Sequence, residues 1–207
     1  MRALADLSSA AVAASLSPLR PHRPTPPPTG GDALGAAAAV HARRSHKRLV
    51  EPAPQGADLE ALLGAAAAAP DHGRLRPWRF YLLAGETQDA FGAVLADAYR
   101  RRCARRGVEP EAAKLAKERT KLARAPLVVV AACVAVEGAV PEIEQIAATA
   151  AAVQNMLVVA TALGYGSMWR TGEPAYDPTV KAALGLAPTD TIVGFVYLGT
   201  PPADDPS

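Results

Sequence analysis

Residues 126–136, PLVVVAACVAV, and residues 142–164, EIEQIAATAAAVQNMLVVATALG, decide the fold of this chain. The first stretch is uncharged and rich in β-branched side chains, which predicts a strand that is buried on both faces. The second stretch is apolar nearly all round, which predicts a long helix buried between layers or between subunits. Gln154 and Asn155 at its centre and its many alanines argue against a membrane span, which needs about 20 strongly apolar residues.

Further elements are predicted on both sides of these two stretches. The residues from Trp78 to Ala84 and from Thr191 to Leu198 are apolar and β-prone, so they are candidate strands. Helical patterns cover Asp32 to Ala42, Asp58 to Ala68, Glu86 to Arg106, Glu109 to Arg124 and Asp177 to Leu184. Many helices and few strands in one folded region indicate an α/β or α+β sandwich with a central sheet between helices.

The composition excludes several classes of protein. The chain has 207 residues, half of them apolar, and a formal net charge of +2, which argues against a protein that coats nucleic acid. The arginine-rich run 100–106 has only Tyr99 as an aromatic neighbour, so we interpret it as a solvated helix face. Cys103 and Cys133 lie in different segments without CxxC spacing, which disfavours a disulfide framework or a zinc site and indicates a reducing, cytoplasmic compartment.

The N-terminal residues differ in composition from the rest of the chain. The proline-dense stretch 18–31 favours extended polyproline II and cannot build a packed core. We therefore predict a disordered extension over residues 1–31, a folded domain over 32–202 and a short tail over 203–207. The extension is interpreted as a linker or as the result of a start codon assigned too far upstream, and a PxxP ligand for a partner domain is the functional alternative. Its apolar stretch is too short and weak for a signal peptide.

Three motifs far apart in sequence join cationic side chains to a hydroxyl, an aromatic ring or a glycine. They are Arg43-Arg44-Ser45, the run APDHGRLRPW over residues 69–78 and the run LGYGSMWRTG over residues 163–172. This mixture suits a phosphorylated planar ligand, because arginine binds phosphate and flat side chains lie against a ring. The third run lacks GxGxxG and leads from a helix into a loop, so it is not a Rossmann motif.

Each motif also has a structural interpretation, which the residues alone leave open. Taken alone, the first motif is better explained as a solvated basic helix end, which also suits the helix dipole. His72 is explained as a turn residue, and Gly164 as the C-cap of the long helix. Trp169 would then fill the core, and Arg170 would pair with a carboxylate.

In this order the three motifs resemble those of the small FMN-dependent nitroreductases of bacteria, in particular the minimal single-domain NAD(P)H branch. The resemblance covers about residues 32–202. It implies an α+β fold, a three-layer sandwich in which helices flank a central, mainly antiparallel sheet. It also implies an intertwined homodimer with the long helix in the interface and FMN bound by residues of both chains.

The resemblance assigns cofactor contacts to the first and third motifs. Arg43, Arg44 and Ser45 would hold the ribityl phosphate and the pyrimidine edge of the flavin. Arg170 would bind the phosphate, and Trp169 and Thr171 would make backbone or side-chain contacts with the flavin.

The second motif is assigned a contact across the dimer, in which His72 reaches the flavin of the partner subunit. Members of the family often place an arginine four residues before this histidine, where the present chain has Ala68. Either Arg74 or Arg76 substitutes for it, or the affinity for phosphate is weaker.

The implied activity is hydride transfer from NAD(P)H through FMN to nitroaromatic- or quinone-like acceptors. Because the flavin N5 performs this transfer, no catalytic side chain is expected. No bound metal and no nucleic-acid or membrane partner is expected either. Positive charge from Arg43 near the N1–C2=O edge would stabilise the reduced flavin. One alternative is a flavin-binding or sequestering protein with little NAD(P)H turnover, which Ala68 favours. Another is an interaction protein whose nitroreductase-like domain is a scaffold. The sequence leaves the acceptor and the choice of NADH or NADPH open.

Overall fold

The computed structural model describes residues 35–138 and 140–203, together with Pro18. The described helices are α1 (Ala36–Ala42), α2 (Gly56–Ala67), α3 (Glu86–Arg105), α4 (Ala112–Arg119), α5 (Glu142–Ala162), α6 (Glu173–Tyr176) and α7 (Pro178–Ala183). The strands are β1 (Trp78–Leu83), β2 (Leu127–Cys133), β3 (Gly166–Arg170) and β4 (Thr191–Gly199), and short 3-10 turns lie at His72–Arg74 and Lys121–Arg124. The predicted cap Asp32, almost all of the predicted extension and residues 204–207 lie outside the described residues.

The four strands form one antiparallel sheet in the order β1-β2-β4-β3. Strand β2 lies in the middle, where Val130 is opposite Tyr81 of β1 and Phe195 of β4. All seven residues of β2 are buried, which confirms the strand with two buried faces predicted from its uncharged sequence. The antiparallel arrangement agrees with the fold that the motifs implied.

Helices cover both faces of the sheet and form two hydrophobic cores. On one face, Tyr81 and Phe195 belong to a cluster that includes Phe91 and Leu95 of α3 and Val180 of α7. On the other face, residues of β2 and β4 such as Val129 and Val196 pack with residues of α2 and α5, among them Leu62 and Met156. The two cores on opposite faces make a three-layer α+β sandwich and confirm the predicted fold class.

Helix α5 is the long helix predicted from residues 142–164. Its length and composition would allow it to cross a membrane, but Ala152, Val153 and Met156 are fully buried against the rest of the subunit. Ile143 near its first turn is 70% exposed, so the described residues do not cover this side of the start of the helix. The helix therefore contributes to the core on one side only.

The sequence-based prediction was wrong about residues 166–170, which form the edge strand β3 and not a loop. Short strands carry little signal of their own, and β3 is defined by pairing with β4, in which Trp169 is opposite Val196. The predicted helix from Glu109 to Arg124 also divides in two, because α4 ends at Arg119 and a 3-10 turn follows. Helix α6 was not predicted.

Candidate functional site

The first and third motifs meet along the outer edge of strand β3. Ser45 forms an isolated parallel bridge with Ser167, and the His46 amide donates a hydrogen bond of 3.1 Å to the carbonyl oxygen of Ser167. Ser167 lies at the start of β3, whereas Trp169 and Arg170 lie at its end. One edge of the sheet therefore carries both motifs, although they are more than 120 residues apart in sequence.

The arginines of the first motif have different environments at the end of α1. The extended backbone of Arg43 (φ −53°, ψ 124°) ends the helix, and its guanidinium donates to Ser45 Oγ over 3.3 Å. Arg44 turns back and donates to the carbonyl oxygen of His41 at 2.6 Å, so it caps its own helix. Neither arginine pairs with a carboxylate of the described residues. Arg43 and Ser45 thus form the donor pair that is available to an anionic ligand, and Arg44 serves the helix end.

The residue that bridges to Ser45 carries a buried hydroxyl. Ser167 is 1% exposed, and its Oγ atom makes no hydrogen bond with any described residue. Buried hydroxyls are nearly always hydrogen-bonded, so an Oγ atom without a partner among the described residues, in the residue that bridges to Ser45, is consistent with a site that a polar ligand completes. Ser167 belongs to the third motif, but its sequence neighbourhood indicates no role for it, and only its position opposite Ser45 in the structure reveals one.

Trp169 combines a structural and an exposed surface. Its indole N–H donates to the carbonyl oxygen of Val193 at 3.2 Å, and its ring lies across Gly194, where a Cβ atom would overlap the ring nitrogen. The residue is nevertheless 36% exposed. The packing interpretation of Trp169 is therefore correct for one side of the ring, while the other remains available to a flat ligand.

Arg170 and Thr171 are exposed at the end of β3. Arg170 makes no ion pair with any described residue, so the alternative in which it pairs with a carboxylate does not describe this structure. Its side chain lies on the same face of the sheet as Phe195 and Tyr197 and lines a cavity of about 600 Å³. Burial raises the pKa of the Tyr197 hydroxyl above its ordinary value of 10.0, an effect that the positive charges of Arg170 and Arg124 oppose.

His72 lies elsewhere in the subunit. Its Nδ1 atom is 2.8 Å from Glu144 Oε2 in the first turn of α5, and its side chain is 67% exposed. Strand β3 begins after the last turn of the same helix, and the residues from Glu144 to Ala162 span about 27 Å. In one subunit the bridge between Ser45 and Ser167 thus joins the first motif to β3, whereas His72 lies near the other end of α5.

The turn that carries His72 has a well-defined backbone. Asp71 accepts a hydrogen bond of 2.7 Å from the Arg76 amide, and Gly73, Arg74 and Arg76 all have positive φ angles. Arg74 and Arg76 are exposed on this turn, and Ala68 is exposed at the end of α2. Both arginines that could replace the missing cation are therefore on the same surface as His72.

Comparison with known proteins identifies the family of the chain. The model of the Nitroreductase family matches residues 40–200 of the chain. A protein of Escherichia coli K12 named "Putative NAD(P)H nitroreductase YdjA" is 39% identical over 160 residues, covering 77% of this chain and 84% of that protein. A protein of Haemophilus influenzae with the same general name is 31% identical over 162 residues, covering 76% of this chain and 84% of that protein.

Solved structures show the same architecture. A nitroreductase-like family protein from Bacillus cereus superposes with a TM-score of 0.69 at 25% identity, covering 84% of this chain and 89% of that chain. An FMN-bound nitroreductase from Bacteroides fragilis superposes with a TM-score of 0.62 at 22% identity, covering 82% of this chain and 89% of that chain. The family model matches most of the chain, and the three-layer fold agrees with it. The chain therefore belongs to the Nitroreductase family.

Proposed function

We propose that this nitroreductase-type oxidoreductase binds FMN and transfers hydride from NAD(P)H through the flavin to nitroaromatic- or quinone-like acceptors. The family supports the oxidoreductase class and the pair of cofactors. The observation that supports the proposal is the bridge between Ser45 and Ser167, which places the end of the first motif against the start of β3, the strand that carries Trp169 and Arg170. This edge offers guanidinium, hydroxyl and aromatic groups, the three kinds of group that a phosphorylated planar cofactor requires.

The side chains hold and orient the cofactor in this proposal. Arg43 and Ser45 bind the ribityl phosphate and the pyrimidine edge, with Arg44 at the same helix end. The guanidinium of Arg43 stabilises negative charge that develops on the ring. Arg170 contributes to phosphate binding, and Trp169 and Thr171 contact the flavin from the end of β3. FMN, when bound, supplies the hydride chemistry at N5.

The proposed active unit is a homodimer in which α5 lies in the interface. The apolar, exposed Ile143 on α5 and Val40 on α1, which is 51% exposed, support this arrangement, because both side chains gain from burial in a second subunit. In the dimer His72 reaches the flavin of the partner.

We further propose a cytoplasmic enzyme whose domain is residues 32–202, flanked by the extension 1–31 and the tail 203–207.

A second candidate function is flavin binding with little NAD(P)H turnover. Ala68 favours it, because this exposed position at the end of α2 provides no cation near His72. Arg74 and Arg76 on the next turn favour the enzyme, because they restore positive charge to the same surface.

Flavin binding and turnover, measured separately, test the proposal. Wild-type protein is expected to quench FMN fluorescence on binding and to oxidise NAD(P)H when a quinone or a nitroaromatic is added. Arg43→Ala is expected to weaken FMN binding roughly tenfold or more, because it removes a charge-assisted hydrogen bond. Arg100→Ala is the matched control, since Arg100 is exposed and paired with Asp97 at 3.1 Å. Equal FMN affinity in Arg43→Ala and in the control would overturn the site, and tight binding without turnover would favour the second candidate.

A further inference from the structure

The cavity beside Arg170 is a candidate second binding site. It lies between α4 with the following 3-10 turn on one side and the end of β3 with the start of α6 on the other. Phe195 and Tyr197 of β4 form its floor, and both are almost fully buried. Its volume of about 600 Å³ is within the range of about 300–1,000 Å³ that is usual for small-molecule sites.

The walls of this cavity carry an excess of positive charge. Five cations line it, and three carboxylates oppose them: Lys114, Lys117, Lys121, Arg124 and Arg170 against Glu111, Glu118 and Glu173. Two of these carboxylates are already engaged with cations. Glu118 accepts a hydrogen bond from Lys121, and Glu173 accepts one from Arg102 at 3.2 Å.

Four of the cations make no ion pair with the described residues. They are Lys114, Lys117, Arg124 and Arg170. Lys114 lies over the ring of Tyr99 at 4.8 Å, which leaves Lys117, Arg124 and Arg170 without a charged or aromatic partner there. Arg124 and Arg170 both line the cavity, and Arg170 lies opposite Phe195 of its floor in the β3–β4 register. A concave site in which unpaired guanidinium groups converge is suited to bind phosphate groups.

The backbone around Arg124 is held in place from two directions. The side-chain amide of the buried Gln88 donates to the carbonyl oxygens of Leu122 and Ala125, at 3.1 and 2.9 Å. The carbonyl oxygen of Arg124 itself accepts a hydrogen bond of 2.7 Å from the Leu49 amide. The guanidinium of Arg124 is thus presented by a fixed turn, which lowers the entropy that a ligand must remove on binding.

We propose that this cavity binds the phosphate groups of the NAD(P)H that reduces the flavin. The inference rests on the proposed function, because that function supplies a phosphate-bearing ligand that must come close to the cofactor. Arg170 and Thr171 form the wall that the cavity shares with the proposed flavin site. Lys117 and Arg124 on the opposite wall are the residues that this inference adds, and they determine affinity for the dinucleotide and not for FMN.

The first test measures binding of inorganic pyrophosphate and needs no turnover. With FMN present at saturation, pyrophosphate is expected to raise the melting temperature of the wild-type protein. The double variant Lys117→Ala/Arg124→Ala is expected to lose most of that shift, with a Kd for pyrophosphate raised roughly tenfold or more. The control Arg100→Ala/Arg106→Ala removes the same formal charge from exposed positions of α3 and its end, and it keeps the shift. An equal shift in both double variants would overturn the proposal.

The second test separates this site from the flavin site. The Lys117→Ala/Arg124→Ala variant is expected to keep its FMN, as judged by absorbance, and to raise KM for NAD(P)H roughly tenfold with little change in kcat. A larger effect on NADPH than on NADH assigns the cavity to the 2′-phosphate, and an equal effect assigns it to the pyrophosphate. Loss of FMN in this variant would mean that the cavity holds the flavin phosphate and would contradict the proposal. If the alanine variant does not fold, Arg124→Gln provides the same comparison.

A failure of the proposed function gives a different pattern. Wild-type protein that binds no FMN, or that binds FMN without reduction by NAD(P)H, contradicts the oxidoreductase and leaves the pyrophosphate titration to decide about the cavity. Wild-type protein that turns over normally with no pyrophosphate shift contradicts the cavity alone. High salt offers a check on mechanism, since ionic screening is expected to weaken the pyrophosphate shift.

Discussion

Gly194 is the residue whose missing side chain shapes the candidate flavin site. The indole of Trp169 occupies the space over it and donates to the neighbouring carbonyl oxygen of Val193. Because the Trp169 ring packs on Gly194, the side of the ring that faces away from Gly194 is the exposed one. The orientation of the predicted flavin contact therefore depends on a glycine in another strand, which no pattern in the motif itself could have indicated.

Gly194→Ala is predicted to displace Trp169 and weaken flavin binding. The new methyl carbon would lie 2.5 Å from Cδ1 of Trp169 and 3.0 Å from the carbonyl oxygen of Arg170, so the ring must move. We expect a loss of about 1–3 kcal/mol in the free energy of unfolding, a change in tryptophan fluorescence and a higher Kd for FMN. Gly35→Ala is the control, because nothing lies within 4 Å of a Cβ atom at that position. Identical FMN affinities would show that Trp169 does not shape the site.

Tyr197→Phe is predicted to flatten the loss of stability at alkaline pH. Burial raises the folded-state pKa of Tyr197 above 10.0, so its stabilising effect is complete below the unfolded value and is lost as the pH rises through the folded one. A single such group changes the free energy of unfolding by at most about 1.4 kcal/mol per pH unit. Urea unfolding between pH 8 and pH 11 is expected to give a shallower slope for the variant. The exposed Tyr176→Phe variant is expected to follow the wild type, and coinciding curves for Tyr197→Phe would contradict the prediction.

For single residues, the types of side chain in the candidate site were predictable from the sequence, but their positions and contacts were not. Arginine, serine and tryptophan in short motifs pointed to a phosphorylated planar ligand. The distinct environments of Arg43 and Arg44 depend on how α1 ends, and the unpaired hydroxyl of Ser167 depends on a bridge between distant segments. Lys117 and Arg124 lay in what resembled an ordinary charged helix, and only folding places them beside Arg170.

At the scale of elements, Asp177 joins α7 to α3. Its carboxylate has no exposed surface, caps α7 by accepting from the Thr179 amide at 2.8 Å, and binds Arg102 at 2.6 Å. These two interactions hold the short helices α6 and α7 against the long helix α3. The start of α6 in turn forms part of the cationic cavity.

Asp177→Ala is predicted to destabilise the protein by about 3 kcal/mol, because it removes a helix cap and leaves the largely buried Arg102 guanidinium with only the half-exposed Glu173 as an ion-pair partner. Asp97→Ala is the matched control, since the ion pairs of Asp97 with Arg100 and Arg101 are solvent-exposed and contribute little. Urea unfolding measures both. Equal losses in the free energy of unfolding for the two variants would contradict the prediction that the buried ion pair contributes more to stability than the exposed ones.

The elements with the strongest sequence patterns were predicted well. Strands β1, β2 and β4 and helices α2, α3 and α5 lie within a few residues of the predicted bounds, because their apolar periodicity reflects the faces they bury. Strand β3 was missed because five residues beginning with glycine carry no period, and pairing with β4 creates the strand. Neighbouring structure, more than local propensity, decides such a short edge strand.

At the scale of the whole molecule, the exposed apolar side of α5 is predicted to mediate a dimer. The mass by light scattering is expected to be about twice 21.4 kDa. Ile143→Glu should shift the protein towards the monomer and lower its FMN content, because a buried charge without a partner is costly and His72 would lose the partner's flavin. Val108→Glu, at an exposed valine after α3, is the control. A monomeric wild type that retains FMN would contradict the shared site.

We propose that this chain holds FMN at the edge of β3 and reduces it with NAD(P)H. The most direct measurement is the visible absorption spectrum of the purified protein with FMN, recorded anaerobically before and after NADPH or NADH. We predict bound-flavin absorbance that bleaches with the nucleotide and returns when a quinone or a nitroaromatic is added. Protein that binds no flavin, or bound flavin that stays oxidised with both nucleotides, would contradict the account.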